Sequence, residues 1–574
     1  MGEMIRREVK IWFKINGLAL LAGVAGGLGA IAFRKMIWLS RYLFFQLLLP
    51  RLTLNLWGYN LGVMLLPALG GLIAGPIIEW ISPETRGHGV PEVMDAVHTK
   101  GGEIRGRVAM VKILVSSITI GSGGSVGREG PIAQIGAAIG SLLGRLAGLD
   151  EAYRRLIVVC GLSAGISGTF MAPLGGAIFG LEVIYRGVAP YDVIPILLSS
   201  VVGMVVTGEV FGLKPAFKAP QYTLRNPLDV LYFLPLGVIF GLLALLWTRI
   251  LYLMEDLFDR LPVRRSLRPA IGGLLTGLVG VFLIKYGVLG VGYEGIDLAL
   301  RGSLPAWLLL LLGVAKMLAT SLTVGSGGSG GIFAPSLYMG AMFGGFFASL
   351  LSGLPLVSRQ PSIYYLVGMA ALFAGAAKAP LTCIVMLPEM TDNYHLLPAL
   401  MVACSMSYLI SALLMKGSIY TLKLKRRGVE IEHTVDPLKL VKVSEIMTPL
   451  EKVVSVRKDT PLSILYFMIL ESKHTAFPVL DDGRLVGIVT LKQLSGLRQE
   501  EIEELRVKDI LRSRLVVTYP DETAYDVLEK MNRFDVEILP VVDRVDEGKL
   551  LGVVSKRDTL NAILLGKRKM RLLE

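Results

Sequence analysis

The chain has 574 residues, 53% of them hydrophobic and 18% charged, with 66 glycines and a formal net charge of +13. This composition excludes a disordered chain, a disulfide scaffold and an ordinary soluble enzyme. The charge is split: residues 431–574 hold 47 of the 105 charged side chains and sum to −1, whereas the first 430 hold the other 58 and sum to +14. A membrane block is therefore joined to a soluble tail. A basic membrane block suits either an anion path or the positive-inside rule, and composition does not separate the two.

In chain order, the N-terminus is basic (Arg6, Arg7, Lys10, Lys14) and its first apolar run ends at Arg34-Lys35, not at a small-residue cleavage site. Leu52–Ile78, Leu156–Leu181, Met317–Ser358 and Tyr394–Met415 carry no charge. Each is long enough for a crossing, which takes about 20 residues. Met317–Ser358 has the length for two passes but is broken by glycines. Leu231–Trp247 and Pro269–Leu283 carry charge only near their ends. Roughly ten or more helices are expected, some too short to span. After the last apolar run, Lys416, Lys423, Lys425, Arg426 and Arg427 restore positive charge, so both termini read as cytoplasmic. Cys160, Cys383 and Cys404 lie in apolar runs and read as small packing residues.

The membrane block repeats itself. Gly121–Pro131 (GSGGSVGREGP) and Gly325–Pro335 (GSGGSGGIFAP) are offset by 204 and share seven of eleven residues. Gly161–Glu182 and Gly368–Glu389, offset by 207, share Ala-Pro-Leu and a closing glutamate. Two halves, about 50–210 and 230–415, with glycine-broken segments at matching places are the mark of a transporter built from repeats. Glycine and serine suit helix starts, where free N–H groups and the helix dipole attract anions. The alternative is helix packing through small residues. Glu129 is a carboxylate in an otherwise uncharged region and a functional candidate by default. The alternative is a structural pair with Arg128.

The tail repeats as well. Val443–Leu494 and Val507–Leu560 each open with V-x-[ED]-I-[ML], pass through an amphipathic helix (Leu462–Leu470; Ala524–Met531), reach F-P-V or L-P-V, and close in a hairpin. Asp482-Gly483 is a two-residue turn signal between β-branched runs.

G-R-E-G-P (Gly127–Pro131), G-G-I-F-A-P (Gly330–Pro335), A-P-L followed by E-M-T-D-N-Y (Ala379–Leu381, Glu389–Tyr394) and G-H-G-V-P (Gly87–Pro91) resemble the signature segments of the chloride channel and transporter (CLC) family, in family order. The tail resembles a tandem cystathionine β-synthase-type (CBS) pair. The resemblance implies a multi-pass α-helical membrane protein of two inverted repeats, with helices broken at the ion site and a cytoplasmic α/β CBS pair. The expected divisions are 1–420, a linker at 421–442, and CBS repeats at 443–494 and 507–566. It implies a homodimer in the plasma or inner membrane that carries chloride or a similar anion and binds no nucleic acid. Glu129 matches the gating carboxylate. Gly127, Arg128, Gly130, Gly331, Ile332 and Phe333 match the anion-binding segments, with the Ile332 and Phe333 N–H groups at the central site. Tyr420 matches the tyrosine whose hydroxyl donates to that anion.

Two departures stand out. His88 replaces the usual serine, or the proline of some members. Either its imidazole donates to the anion or it points away. Val183 occupies the place of the internal glutamate that passes protons in exchangers, and Glu182 matches the neighbouring acidic position. Valine carries no proton, so gated conduction is favoured over proton-coupled exchange, although Glu182 or water remains a substitute relay. Pro131 speaks against the fluoride-handling branch. In the tail, Ser555 and Asp558 match the hydroxyl and acid that hold adenine nucleotides (ATP, ADP or AMP) in CBS clefts. The first repeat has Thr490 but Gln493 in place of the acid. The alternative is a purely structural module, since Ser-Lys-Arg-Asp also suits a helix cap. No cofactor is required, no enzyme motif is present, and the histidines form no metal-ligand spacing. A cation transporter is rejected because acids do not cluster in the membrane block. A membrane-anchored nucleotide sensor is the remaining reading of a different class; the glycine motifs and Glu129 count against it.

Overall fold

The computed structural model describes residues 2–56, 59–187, 190–217, 219–220, 227–351, 362–429, 431, 437–472, 474–511 and 515–573. They divide into two compact units, Met1–Glu432 and His433–Glu574.

The first half of the membrane unit runs α1 (Gly2–Arg41), α2 (Leu65–Trp80), α3 (Val90–Thr99), α4 (Arg107–Gly121), α5 (Glu129–Leu146), α6 (Glu151–Phe170), α7 (Pro173–Phe179) and α8 (Pro190–Phe211). The second half repeats that order as α9 (Phe233–Arg260), α10 (Arg268–Gly280), α11 (Tyr293–Leu300), α12 (Ala306–Gly325), α13 (Phe333–Leu351), α14 (Ser362–Ala377), α15 (Pro380–Thr391) and α16 (Leu397–Leu414). Among the described residues, eight helices are long and apolar enough to cross a membrane. The uncharged stretch from Leu52 does not begin as a helix. Asn55–Leu56 pairs with Tyr59–Asn60 as a short hairpin of β1 and β2, and the Asn60 side chain accepts from the N–H of Gly62 at 2.9 Å. The expected linker also starts late, because α17 (Thr421–Arg426) follows Tyr420 and buries Leu424 and the stem of Lys423.

The breaks follow local chemistry. Helices α6 and α14 stop on left-handed residues, Met171 at φ 55° and Lys378 at φ 56°. Each is followed by Ala-Pro, and the proline opens the next short helix, where its missing N–H costs nothing. The helix pairs α5/α6 and α13/α14 approach closely because Gly136 faces Gly161 and Gly340 faces Gly368; a Cβ at any of these would strike the opposite backbone carbonyl. Many hydroxyls that remain inside are bonded to backbone. Ser407 and Ser411 on α16, for example, donate to the carbonyls of Ala371 and Gly375, each at 2.6 Å.

The tail unit contains two three-stranded sheets. In the first repeat, β4 (Val456–Arg457) lies parallel to β5 (Ala476–Asp481), which pairs antiparallel with β6 (Arg484–Thr490). The turn between them places Asp482 at φ 47° and Gly483 at φ 78°, the hairpin geometry expected of Asp-Gly. In the other sheet, β8 (Leu550–Ser555) of the second repeat sits between β7 (Ile538–Val542) of the same repeat and β3 (Thr448–Pro449), contributed by the opening segment of the first repeat. Helices α18 (Val443–Ile446) and α19 (Leu462–Ser472) belong to the N-terminal part of the tail, and α20 (Leu491–Leu494), α21 (Gln499–Glu504) and α22 (Val507–Ile510) join the repeats. Helix α23 (Ala524–Phe534) packs on the second sheet, and α24 (Lys556–Leu573) follows β8. Each repeat has its own apolar core: Leu465, Phe477, Val479 and Val489 in the first, and Val527, Met531, Leu539 and Val541 in the second.

Candidate anion site

The two GSGGS segments are the loops between α4 and α5 and between α12 and α13. Gly123 and Gly327 hold matching left-handed conformations, φ 106° and φ 103°, which end the preceding helices. The loops then meet. The Gly127 N–H donates to the Gly331 carbonyl at 2.8 Å and the Gly331 N–H to the Gly127 carbonyl at 2.7 Å. Equivalent residues of the two halves thus form one antiparallel bridge. The G-H-G-V-P loop joins them: the Gly330 N–H donates to the Gly87 carbonyl at 3.2 Å, and Ser329 Oγ donates to the Thr85 carbonyl at 2.8 Å.

Glu129 begins α5, and its side chain crosses to the other half. Its Oε1 accepts from the Phe333 N–H at 2.5 Å. Its Oε2 is buried without a partner, and the residue is 3% exposed. A Cβ on Gly127 or on Gly331 would overlap this carboxylate. Glycine at both places is what lets the carboxylate fold onto the start of α13. An anionic group therefore sits on N–H donors at a helix N-terminus, as an inorganic anion would.

His88 lies between two left-handed glycines, Gly87 (φ 71°) and Gly89 (φ 81°). It is 1% exposed, and neither ring nitrogen has a hydrogen-bond partner. A Cβ on Gly130 would strike the His88 carbonyl, so the loop rests directly on α5. The His88 ring is 5.6 Å from that of Tyr420, which is also fully buried. From Tyr420 a string of edge-to-face rings runs through Phe373 (6.3 Å), Phe333 (4.6 Å) and Phe170 (5.3 Å). It ends under the Arg128 guanidinium, 6.0 Å from the Phe170 centroid. His88, Tyr420, Ile332, Phe333, Gly130, Gly331, Glu129 and Arg128 are thus brought together by a continuous set of contacts, from segments more than 300 residues apart.

Val183 is buried in a wide turn after α7. Its neighbour Glu182 is fully engaged: its oxygens accept from the N–H groups of Leu381 (3.0 Å) and Thr382 (2.7 Å) and from the Thr382 hydroxyl (2.6 Å). The other half returns the contact, with Glu389 accepting from the N–H groups of Leu174 (3.0 Å) and Gly175 (2.7 Å). Each glutamate caps the short Ala-Pro-Leu helix of the opposite repeat.

Two functional candidates were missed at the sequence level. Lys112 and Lys316 are fully buried. The Lys112 ammonium donates to the carbonyls of Thr85 (2.9 Å) and Gly87 (3.0 Å). The Lys316 ammonium donates to those of Gly287 (3.0 Å), Val288 (3.1 Å) and Gly290 (2.9 Å). They hold equivalent loops in the two halves. Their separation of 204 equals the offset of the GSGGS motifs, and that was the signal available.

In the tail, Ser555 and Asp558 lie together at the start of α24. Asp558 Oδ2 accepts from the Ser555 N–H at 2.8 Å and from its hydroxyl at 2.7 Å. Gln493 Oε1 accepts from the Thr490 N–H at 2.7 Å and its hydroxyl at 3.0 Å. Both repeats thus cap a helix with this motif, and only the second does so with a charge. Glu445 is held below the usual carboxylate range, chiefly by a hydrogen bond from Lys569.

The family model for the voltage gated chloride channel matches residues 70–412, and the CBS domain model matches 443–498 and 507–565. The H(+)/Cl(-) exchange transporter ClcA of Vibrio cholerae is 31% identical over 423 residues, 72% of this chain and 90% of the relative. The chloride channel protein CLC-f of Arabidopsis thaliana is 27% identical over 583 residues, 86% of this chain and 72% of the relative. The crystal structure of a slow cyanobacterial Cl−/H+ antiporter superposes with a TM-score of 0.64 at 26% identity, covering 72% of this chain and 96% of the antiporter.

Proposed function

The chain belongs to the CLC family of chloride channels and transporters, and from that premise we propose that it conducts chloride passively through a path gated by Glu129. It is an integral, multi-pass membrane protein that transports anions. The observation that carries the gate is the Glu129 carboxylate resting on the Phe333 N–H, a donor of the opposite repeat. An ionised carboxylate there is a tethered competitor for the site of a chloride ion. A hydrogen bond to a charged group contributes about 1.5–3 kcal/mol. The closed state is therefore favoured by about tenfold to a hundredfold until a proton neutralises Glu129 or an anion displaces it. Tyr420 and the Ile332 and Phe333 N–H groups are neutral donors, which suit an ion that must also leave. His88, whose ring packs beside Tyr420 and whose nitrogens are both unbonded, serves through its one N–H as a further neutral donor. The subunits pair as a homodimer with one path each, and both termini are cytoplasmic.

Passive conduction is supported by Val183, which carries no proton, and by Glu182, whose three hydrogen bonds to the opposite half would be lost if it released its cap to relay one. The second reading, proton-coupled exchange, is favoured by the relative named an exchange transporter. Chloride-loaded liposomes settle the choice. Chloride efflux without uphill proton movement supports conduction; proton movement in fixed ratio to chloride refutes it. Glu129→Gln should keep chloride flux and lose its pH dependence. Adenine-nucleotide regulation through Ser555 and Asp558 is part of the same reading; retained nucleotide binding by Asp558→Ala would remove that cleft.

A further inference from the structure

Arg128 and Arg34 stand at the Glu129 end of the path, and they are held in an unusual way. The Arg128 guanidinium lies 5.1 Å from the centroid of Tyr293, at the start of α11, and 6.0 Å from that of Phe170. The Arg34 guanidinium, on α1, lies 4.1 Å from the centroid of Phe211 on α8. Among the described residues neither is ion-paired with a carboxylate. The two side chains line the same small cavity, together with Phe33, Thr169 and Thr207. Two polar groups in this neighbourhood are buried and unpartnered: Arg128 Nε and the Tyr293 hydroxyl.

An aromatic face holds a guanidinium without cancelling its charge and leaves its N–H edge available; Arg128 uses one N–H on the Thr169 carbonyl at 3.4 Å and keeps Nε unbonded. A carboxylate would hold it equally well and neutralise it. Two like charges with an unsatisfied donor favour something negative beside them, and the neighbouring carboxylate, Glu129, is committed to the Phe333 N–H. The residue after Arg128 is the gate, so an anion bound here is next in line for the donors Glu129 occupies.

We propose that Arg34, Arg128 and the Tyr293 hydroxyl form an anion-recruiting site on the gate side of the path, which takes a small monovalent anion from solution before it meets Glu129. Chloride is held there by guanidinium N–H groups and one hydroxyl. The site concentrates chloride at the mouth and matters most when chloride is scarce. It rests on the gated-path reading, but on neither conduction nor exchange in particular.

The test uses the full chain in planar bilayers, with chloride varied on the gate side. Arg34→Gln and Tyr293→Phe should each raise the chloride concentration for half-maximal flux by about threefold to tenfold, the size of one screened charge or one donor. Arg34→Lys should restore most of the loss. Adding about 1 M of an impermeant salt shortens the Debye length to about 3 Å and should erase the Arg34→Gln difference. Crystals soaked in bromide should show an anomalous peak between Arg34 and Tyr293. Half-maximal chloride unchanged in both variants would overturn the site. So would an Arg34→Gln effect that follows lipid headgroup charge and not chloride, since the occupant would then be a phosphate headgroup. Absence of chloride flux in the unaltered protein would instead sink the gated-path reading, and the bromide peak would still decide this one.

Discussion

Gly127→Ala tests the gate from the outside, leaving Glu129 itself in place. The three atoms nearest a Cβ at Gly127 all belong to the Glu129 carboxylate, with Cδ at 2.6 Å and both oxygens nearer. Gly127 is not among the left-handed glycines, so alanine is not strained there. The main-chain bridge to Gly331 involves only N–H and carbonyl groups and survives. The cheapest relief is for the flexible glutamate to swing away, which breaks its bond to the Phe333 N–H. The loss is about 1.5–3 kcal/mol, the contribution of a charged hydrogen bond. At about 1.4 kcal/mol per tenfold, the closed state falls by about tenfold to a hundredfold. Chloride efflux from liposomes, followed by an electrode across a range of pH, should show Gly127→Ala open where the unaltered protein is closed, with little pH dependence. The pair Gly127→Ala with Glu129→Gln should behave like Glu129→Gln alone, because both remove one interaction. Gly127→Ala with normal pH gating would refute the claim that the carboxylate closes the path in this position.

Other expectations are as specific. Tyr420→Phe keeps the ring against His88 and Phe373 and removes one donor, so chloride affinity by calorimetry should fall by about threefold to tenfold; unchanged affinity would take the hydroxyl out of the site. Lys112→Met removes one of two donors to each of the carbonyls of Thr85 and Gly87, which keep Ser329 Oγ and the Gly330 N–H, at about 1 kcal/mol for each lost bond, less what is regained by not burying an ammonium. Melting temperature and chloride affinity should both drop, and a variant unchanged in both would show that the lysine does not hold the loop. Glu445 lies below its ordinary range in the folded tail, so its contribution is present above the unfolded carboxylate value and is lost as pH falls through the lower folded one. With about a third of each partner exposed, that contribution is about 0.5 kcal/mol. The protection factors of Val443–Ile446 against hydrogen exchange, with the intrinsic pH dependence of exchange divided out, should fall by about twofold on acidification in the full chain, and Glu445→Gln should flatten the trend; equal pH trends would refute the linkage. Glu182→Gln and Glu389→Gln should each lower the melting temperature, since both weaken a charged cap that joins the halves; stability equal to the unaltered protein would show that the caps do not join them.

The residues that could be read without a structure are those whose constraint is local. Glycine and serine at 121–125 and 325–329 announce helix breaks because their effect on backbone freedom needs no partner. The repeat shows itself in the spacing, Glu129 in its isolation among uncharged neighbours, and Asp482-Gly483 in the turn it must form. What these residues face was decided by tertiary structure. Glu129 lies on the Phe333 N–H and not on its neighbour Arg128, because the bridge between Gly127 and Gly331 brings the start of α13 within reach. Glu182 is spent on a cap that belongs to the other half. Lys112 and Lys316 look like stray charges in apolar helices until the loop carbonyls around them are in place. Periodicity and composition record which side chains a segment can tolerate. The pairing of donors with acceptors hundreds of residues apart depends on how the two repeats pack, and a single chain read in order carries no direct record of that.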